Sequence, residues 1–283
     1  RSVLIALAVL PVSQKVAGQG FSFNELTFGI RSYLKTPRLR GLLALYMGVA
    51  SASAMIIVNT VNYIRVNLGC SESDVAMALS AAGFGSMLAA LLLPRVLDKI
   101  QDRTVMFSGA VIMAIGMLFI ASKPTFSSVL VIWFLIGLGW SLVQTPAGRV
   151  VNRSSSPGDR TAYFSAQFSL SHACWLIFYL LAGFMGTYYG IQVTAILLAF
   201  TILFFTILAG KLWPSDEIEE LVHSHAEKTH EHAHIHDEHH QHDHEGWEGP
   251  EPHCHPHYHT PIRHTHSYVI DDHHATWPES PSP

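Results

Sequence analysis

Six stretches free of formal charge, each long enough to cross a lipid bilayer, succeed one another and decide what this chain can become. They are Gly41 to Tyr63, Val75 to Pro94, Thr104 to Ser122, Ser127 to Gly148, Thr161 to Thr187 and Ile191 to Gly210. Hydrocarbon offers no partner to a free backbone N–H or C=O, so only helices and closed barrels span it. A spanning helix takes about 20 apolar residues, and the roughly ten-residue alternation of a barrel strand is absent. The last two stretches adjoin, and as one helix at about 1.5 Å per residue they would be roughly twice as long as the bilayer is thick. The chain must turn there, and the expected break lies at Gly186 to Gly190. Only 13% of residues are charged, about half the share in a soluble domain, so six buried helices of a large soluble protein are excluded. The predicted fold class is an all-α membrane protein built on a six-transmembrane-helix bundle.

Short loops rich in Lys and Arg stay on the cytoplasmic side. Lys15, Arg31, Lys35, Arg38 and Arg40 precede the first stretch, Arg95, Lys99 and Arg103 come after the second, and Arg149, Arg153 and Arg160 after the fourth. The intervening connections carry Arg65 against Glu72 and Asp74, then Lys123, then no charge around Gly190. The alternation predicts the first set inside, the second outside, and a cytoplasmic C-terminal end.

The chain is two materials joined near Trp213. Residues 1–213 hold 15 Lys and Arg against six Asp and Glu, whereas residues 214–283 hold two against 15 and also 18 of the 19 histidines. The three cysteines, Cys70, Cys174 and Cys254, are far apart, so neither a disulfide framework nor a CxxC zinc module is indicated. At the other end, Ser2 to Val12 is apolar but about half the length of a span. It reads as the end of a helix whose start is missing. The expected organisation is therefore 1–12 as the end of a preceding helix, 13–40 as a cytoplasmic loop with an amphipathic segment at Phe23 to Leu34, 41–213 as the bundle, and 214–283 as a tail.

That tail is acidic, polar and interrupted by proline, so it cannot bury enough apolar surface to offset its ordering entropy, and disorder is expected. Its histidines alternate or adjoin: His223 and His225; His230, His232, His234 and His236; His239, His240, His242 and His244. Further along come His253, Cys254, His255, His257 and His259, then His264 and His266, then His273 and His274 beside Asp271 and Asp272. Such density lets many imidazole sets close around one ion, with carboxylates lowering the charge cost. The pattern specifies metal binding without choosing a metal, because nitrogen ligands favour cobalt, nickel, copper and zinc in graded order. A collector or sensor role is expected, since a tethered ligand sets a high local concentration.

Helical periodicity sorts the polar residues within the spans. Ser51, Met55, Asn59 and Asn62 form one stripe on the first, and Trp133, Gly137, Trp140 and Gln144 one on the fourth. The fifth carries two, Thr161, Ser165, Ser169 and His172 on one face and Gln167, Ser171 and Cys174 on another. No acidic residue lies within a span, and His172 is the one group there that titrates near neutral pH. No nucleophile–base constellation and no phosphate-cradling Gly loop occurs, so neither an enzyme nor an ATP-driven pump is indicated. No nucleic-acid partner is expected; the partners are the bilayer and a metal-ion substrate.

A partial helix, a long basic loop, six helices and a cytoplasmic end together resemble the second half of a Major Facilitator Superfamily transporter. Gly85, Arg95, Asp98, Lys99, Asp102 and Arg103 stand where that superfamily carries a charged loop motif, although Pro94 and the lack of a glycine between Asp98 and Arg103 depart from it. The resemblance implies that Arg95, Asp98, Lys99, Asp102 and Arg103 form a cytoplasmic gate. It also implies that Asn59, Asn62, Gln144, Gln167, His172 and Cys174 line the transport cavity, together with a missing N-terminal half.

The run from Asp159-Arg160 through Gln167 to Trp175 and on to Ala182-Gly183, with the His-rich end, is similar to the nickel-resistance (NreB-type) efflux branch. That similarity implies proton-coupled export of nickel, with cobalt as a second cargo, across a bacterial inner membrane. No tightly bound cofactor is expected beyond metal ions at the tail, nickel first and then cobalt, zinc or copper. The coupling group is either His172 or a carboxylate in the missing half, with the latter favoured. Two alternatives stay open: an exporter of an organic or siderophore-like compound with a metal-sensing tail, and a nontransporting metal buffer.

Overall fold

The computed structural model describes residues 23–213, 220–225, 228–234, 253–259, 262–270 and 277. The expected helix end at 1–12 lies outside the described residues. A short helix, α1 (Phe23–Lys35), runs into Thr36, where Pro37 opens the next helix with its φ already set and no N–H to leave unpaired. Six helices long and apolar enough to cross a membrane come next: α2 (Pro37–Asn67), α3 (Glu72–Leu97), α4 (Asp102–Ala121), α5 (Phe126–Asn152), α6 (Arg160–Tyr188) and α7 (Gly190–Leu212). The turn between the last two falls at Gly190, whose φ of +79° is a left-handed conformation that glycine adopts without strain. The N-terminus of α3 is closed by a capping box in which Ser71 and Asp74 satisfy each other's backbone N–H groups.

Helix α2 is the centre of the bundle, packed against α6 and α7 and more lightly against α5, while α5 packs against α3 and α4 and α4 against α7. Close approach depends on small residues, as expected where apolar side chains gain little by leaving lipid. A Cβ on Gly85 would strike the Phe134 carbonyl oxygen and one on Gly137 that of Ala82, joining α3 to α5. Gly109 and Gly139 face each other, so a Cβ on either would lie 2.6 Å from the other's carbonyl oxygen. Gly83, by contrast, faces open space.

The first span is not a uniform α-helix. Residues Met55–Asn59 and Tyr63–Asn67 form π-helical turns, which insert extra residues and rotate the part of the helix beyond them. Ser51, Met55 and Asn59 therefore stay buried while Asn62, placed on the same stripe by an α-helical period, is exposed. Between the two π turns Thr60 accepts a 2.9 Å hydrogen bond from Trp133 Nε1, and Tyr63 stacks on that indole at 6.0 Å.

The tail backbone is described in part. Four short strands, β1 (Glu220–His225), β2 (Lys228–His234), β3 (His253–His259) and β4 (Ile262–Ser267), pair antiparallel as β1 with β4 and β2 with β3. The physical reason is backbone satisfaction. A ladder pairs N–H and C=O groups without needing an apolar core, and period-two sequence with Val222, Thr229, Tyr258, Ile262 and Thr265 suits extended chain.

Candidate functional site

Polar side chains in the bundle fall into two sets. The inner set is buried between α1, α2 and α6. Tyr33 donates from its hydroxyl to Gln167 Oε1, and Tyr46 also interacts with Gln167. Cys174, two turns further along α6 than Gln167, is a free, buried thiol. Burial pushes the Tyr33 phenol well above its ordinary range, with Tyr46 and Cys174 adding to the shift, so it remains a donor. Asn59 donates from Nδ2 to the Ala182 carbonyl oxygen at 3.1 Å, and its Oδ1 fills the space that a Cβ on Gly186 would need. These groups join α2 to α6 by hydrogen bonds that hydrocarbon cannot replace.

The outer set is on the open side of α6. Thr161, Ser165, Ser169 and His172 are all exposed there. The His172 ring lies 3.9 Å from that of Phe168 and 4.9 Å, edge on, from that of Trp175. Its Nδ1 is 2.7 Å from the Phe168 carbonyl oxygen. A carbonyl only accepts, so Nδ1 carries a proton, and in a neutral ring the lone pair is then on Nε2. A carbonyl that fixes the tautomer through the far ring nitrogen is also how metal-ligating histidines are held. His172 is 12 residues into α6, about 18 Å from its start at 1.5 Å per residue and hence near mid-membrane depth.

Gln144 on α5 is half-buried, and its Nε2 has no hydrogen-bond partner among the described residues; the same holds for Gln167 Nε2. A buried donor left unpaired costs about 1–3 kcal/mol. Of the six residues expected to line a cavity, Gln167 and Cys174 share the inner cluster and Asn59 bridges the same two helices. His172 and Asn62 lie on open surface, and Gln144 stands apart on α5. Among the described side chains no three His, Cys, Asp or Glu groups converge on a point that could hold a metal.

Charge gathers at one end of the bundle. Asp102, at the start of α4 and 4% exposed, lies 3.4 Å from Arg149 Nε and 3.7 Å from Arg153 at the end of α5. Arg103 donates from Nε to the Trp213 carbonyl oxygen at 2.9 Å and covers the Phe107 ring at 4.6 Å. Arg95, Asp98 and Lys99 are exposed and in no ion pair among the described residues. Thus two of the five expected gate residues make inter-helix contacts, and the partners of Asp102 are arginines that stand out in the sequence only as topology signals. The pattern could have been found only by asking which basic loops meet at one end.

The tail returns to this same end. Tyr268 and Ile270 are buried; Arg38 donates to the Tyr268 carbonyl oxygen at 3.2 Å and Tyr163 to that of Ile270 at 2.7 Å. Arg38 also lies 5.5 Å over the Trp277 ring, which meets Tyr268 edge to face. At the tail's origin Trp213 is buried so close to α2 that a Cβ on Gly41 would lie 2.5 Å from its Cβ. Both ends of the stretch between Trp213 and Tyr268 are therefore attached to the basic end of the bundle. None of Arg38, Tyr163 and Trp213 stands out in the sequence as a tail contact. Of the expected tail ligands, His236, His239, His240, His242, His244, His273 and His274 lie outside the described residues.

Six helices long and apolar enough to cross a bilayer define a multi-pass membrane protein. The profile of the Major Facilitator Superfamily matches residues 42–265, and the chain belongs to that superfamily, whose members are transporters and not enzymes. No curated protein matches the chain.

Proposed function

We propose that this chain is the second half of a secondary active exporter of a divalent transition metal, nickel first and cobalt next. The observation that carries the reading is the attachment of a stretch bearing most of the chain's histidines, at both Trp213 and Tyr268, to the basic end of the helices. Lys and Arg at that end favour the cytosol, so the tail collects metal on the side from which an exporter loads. In the membrane, His172 offers one neutral nitrogen on the open face of α6, and a companion six-helix half supplies further ligands. One weak ligand from this half suits transport, because a site must release what it binds. The carboxylate that couples export to protons belongs to the companion half, since every Asp and Glu of residues 1–213 lies outside the apolar stretches.

Here the metal is cargo. Asp102 with Arg149 and Arg153 acts as the latch that holds the cytosolic ends of α4 and α5 together in one state and parts in the other. Flux of nickel, cobalt, zinc and copper into inside-out vesicles containing the whole transporter tests the reading. Nickel accumulation that collapses with the proton gradient is expected. Flux of an organic compound with no metal movement, or metal binding without any flux, contradicts it.

A further inference from the structure

A short piece of the tail is fastened across the starts of two helices. Arg38, in the first turn of α2, donates to the Tyr268 carbonyl oxygen at 3.2 Å, and Tyr163, in the first turn of α6, donates to that of Ile270 at 2.7 Å. Arg38, Tyr163, Tyr268 and Ile270 are all buried. Two residues of chain span about 7 Å at most, so acceptors at 268 and 270 stand at a limited separation, and their donors must stay equally close. Parting of the two helix starts by a few ångström breaks one bond or the other. Further along the tail, the Trp277 ring lies 5.5 Å from the Arg38 guanidinium and meets Tyr268 edge to face at 5.3 Å, so the chain closes around Arg38. The acceptors are backbone oxygens, and the side chains of Tyr268 and Ile270 seat the segment by burial.

The build of α2 says what this contact restrains. From Pro37 to Ala54 the helix is regular over 18 residues, about 27 Å at 1.5 Å per residue. It then enters the π turn at Met55–Asn59, the kind of interruption at which helices change direction. There Asn59 donates to the Ala182 carbonyl oxygen of α6. Polar contacts thus tie α2 to α6 directly at the π turn and through the tail at the start of α2. Gly41 and Gly48 hold the same stretch close to Trp213 and to Ile202 of α7, so the tail contact governs its distance from α6. A swing of about 10° at the π turn moves the far end of such a stretch by about 5 Å, more than a hydrogen bond tolerates. We propose that Tyr268–Ile270 is a strap. Docked between Arg38 and Tyr163, it holds the start of α2 beside α6, and its release lets the Pro37–Ala54 stretch swing about Met55–Asn59 and open the basic end of the bundle. The strap rests on membership of a transporter superfamily and not on the identity of the cargo.

The test places nitroxide labels at two exposed positions near the helix starts, Arg40→Cys on α2 and Phe164→Cys on α6. The whole transporter is purified in detergent with its native cysteines replaced by serine, and pulsed electron resonance reads the separation of the labels. One dominant short distance is expected while the segment is docked. Ile270→Asp puts a charge into the buried seat and should make a longer distance the major one. Tyr163→Phe leaves the fold of α6 intact and removes one donor, so the longer distance should gain about fivefold in relative population, the worth of one hydrogen bond. An unchanged distribution in either variant overturns the strap. The readout needs no metal and no flux, so failure of the export reading leaves it standing and its own failure leaves the export reading untouched.

Discussion

His172 combines three properties seldom found together on a membrane helix. It is at mid-depth, it faces away from its own bundle, and its Nδ1 proton is committed to the Phe168 carbonyl oxygen. Since that carbonyl belongs to the backbone, the tautomer survives any change in the neighbouring side chain. His172→Ala should cut metal flux by about tenfold or more while leaving protein yield unchanged, as loss of a metal-site group does elsewhere. Metal binding by the tail, if present, should be unaffected, and vesicle flux beside dialysis separates the two. Tyr33 makes a different kind of contribution. Tyr33→Phe leaves Gln167 Oε1 without that donor, and a loss of about 1–3 kcal/mol is expected in detergent unfolding, with Trp133 fluorescence as the reporter.

At the scale of elements, spans are legible because lipid imposes one requirement on every residue of a stretch, and six charge-free runs satisfy it. The helix break at Gly190 is legible for the same reason, as no single helix fits the length. What escapes is anything set by a neighbour. The π turns at Met55–Asn59 and Tyr63–Asn67 carry no breaker residue, and they move Asn62 off the stripe that begins at Ser51. The two faces of α6 are likewise readable as polar, but only packing tells that Gln167 and Cys174 turn inward while Ser165 and His172 do not. The ion pairs of Asp102 show the same limit. Asp102 is visible as a motif residue, whereas its arginines come from the end of α5, some 50 residues further on. Asp102→Asn keeps the shape and removes the charge. Breaking a buried pair costs about 3–5 kcal/mol, but Arg149 and Arg153 are 54% and 35% exposed. Solvent screening therefore brings the expected loss down to about 1–2 kcal/mol. Export should slow several-fold, and cysteines placed at the ends of α4 and α5 should become more reactive.

For the whole molecule, the decisive feature is that the basic residues, the Asp102 ion pairs and the tail contacts share one end. Arg38 and Tyr163 hold the far end of the tail through two carbonyl oxygens, a detail no pattern in the histidine-rich sequence announces because the contacts are made by backbone. Tyr163→Phe removes one hydrogen bond worth about 1 kcal/mol, so limited proteolysis around residue 268 should run about fivefold faster. Composition raises the expectation of metal binding for the tail, yet its attachment depends on where α2 and α6 begin in space.

Two native cysteines test the central claim directly, since Cys70 lies in the connection from α2 to α3, at the end opposite the basic loops, and Cys254 lies in the tail. A membrane-impermeant maleimide applied to intact cells should modify Cys70 and spare Cys254, and in inside-out vesicles the preference should reverse. Modification of both from the same side would contradict the account.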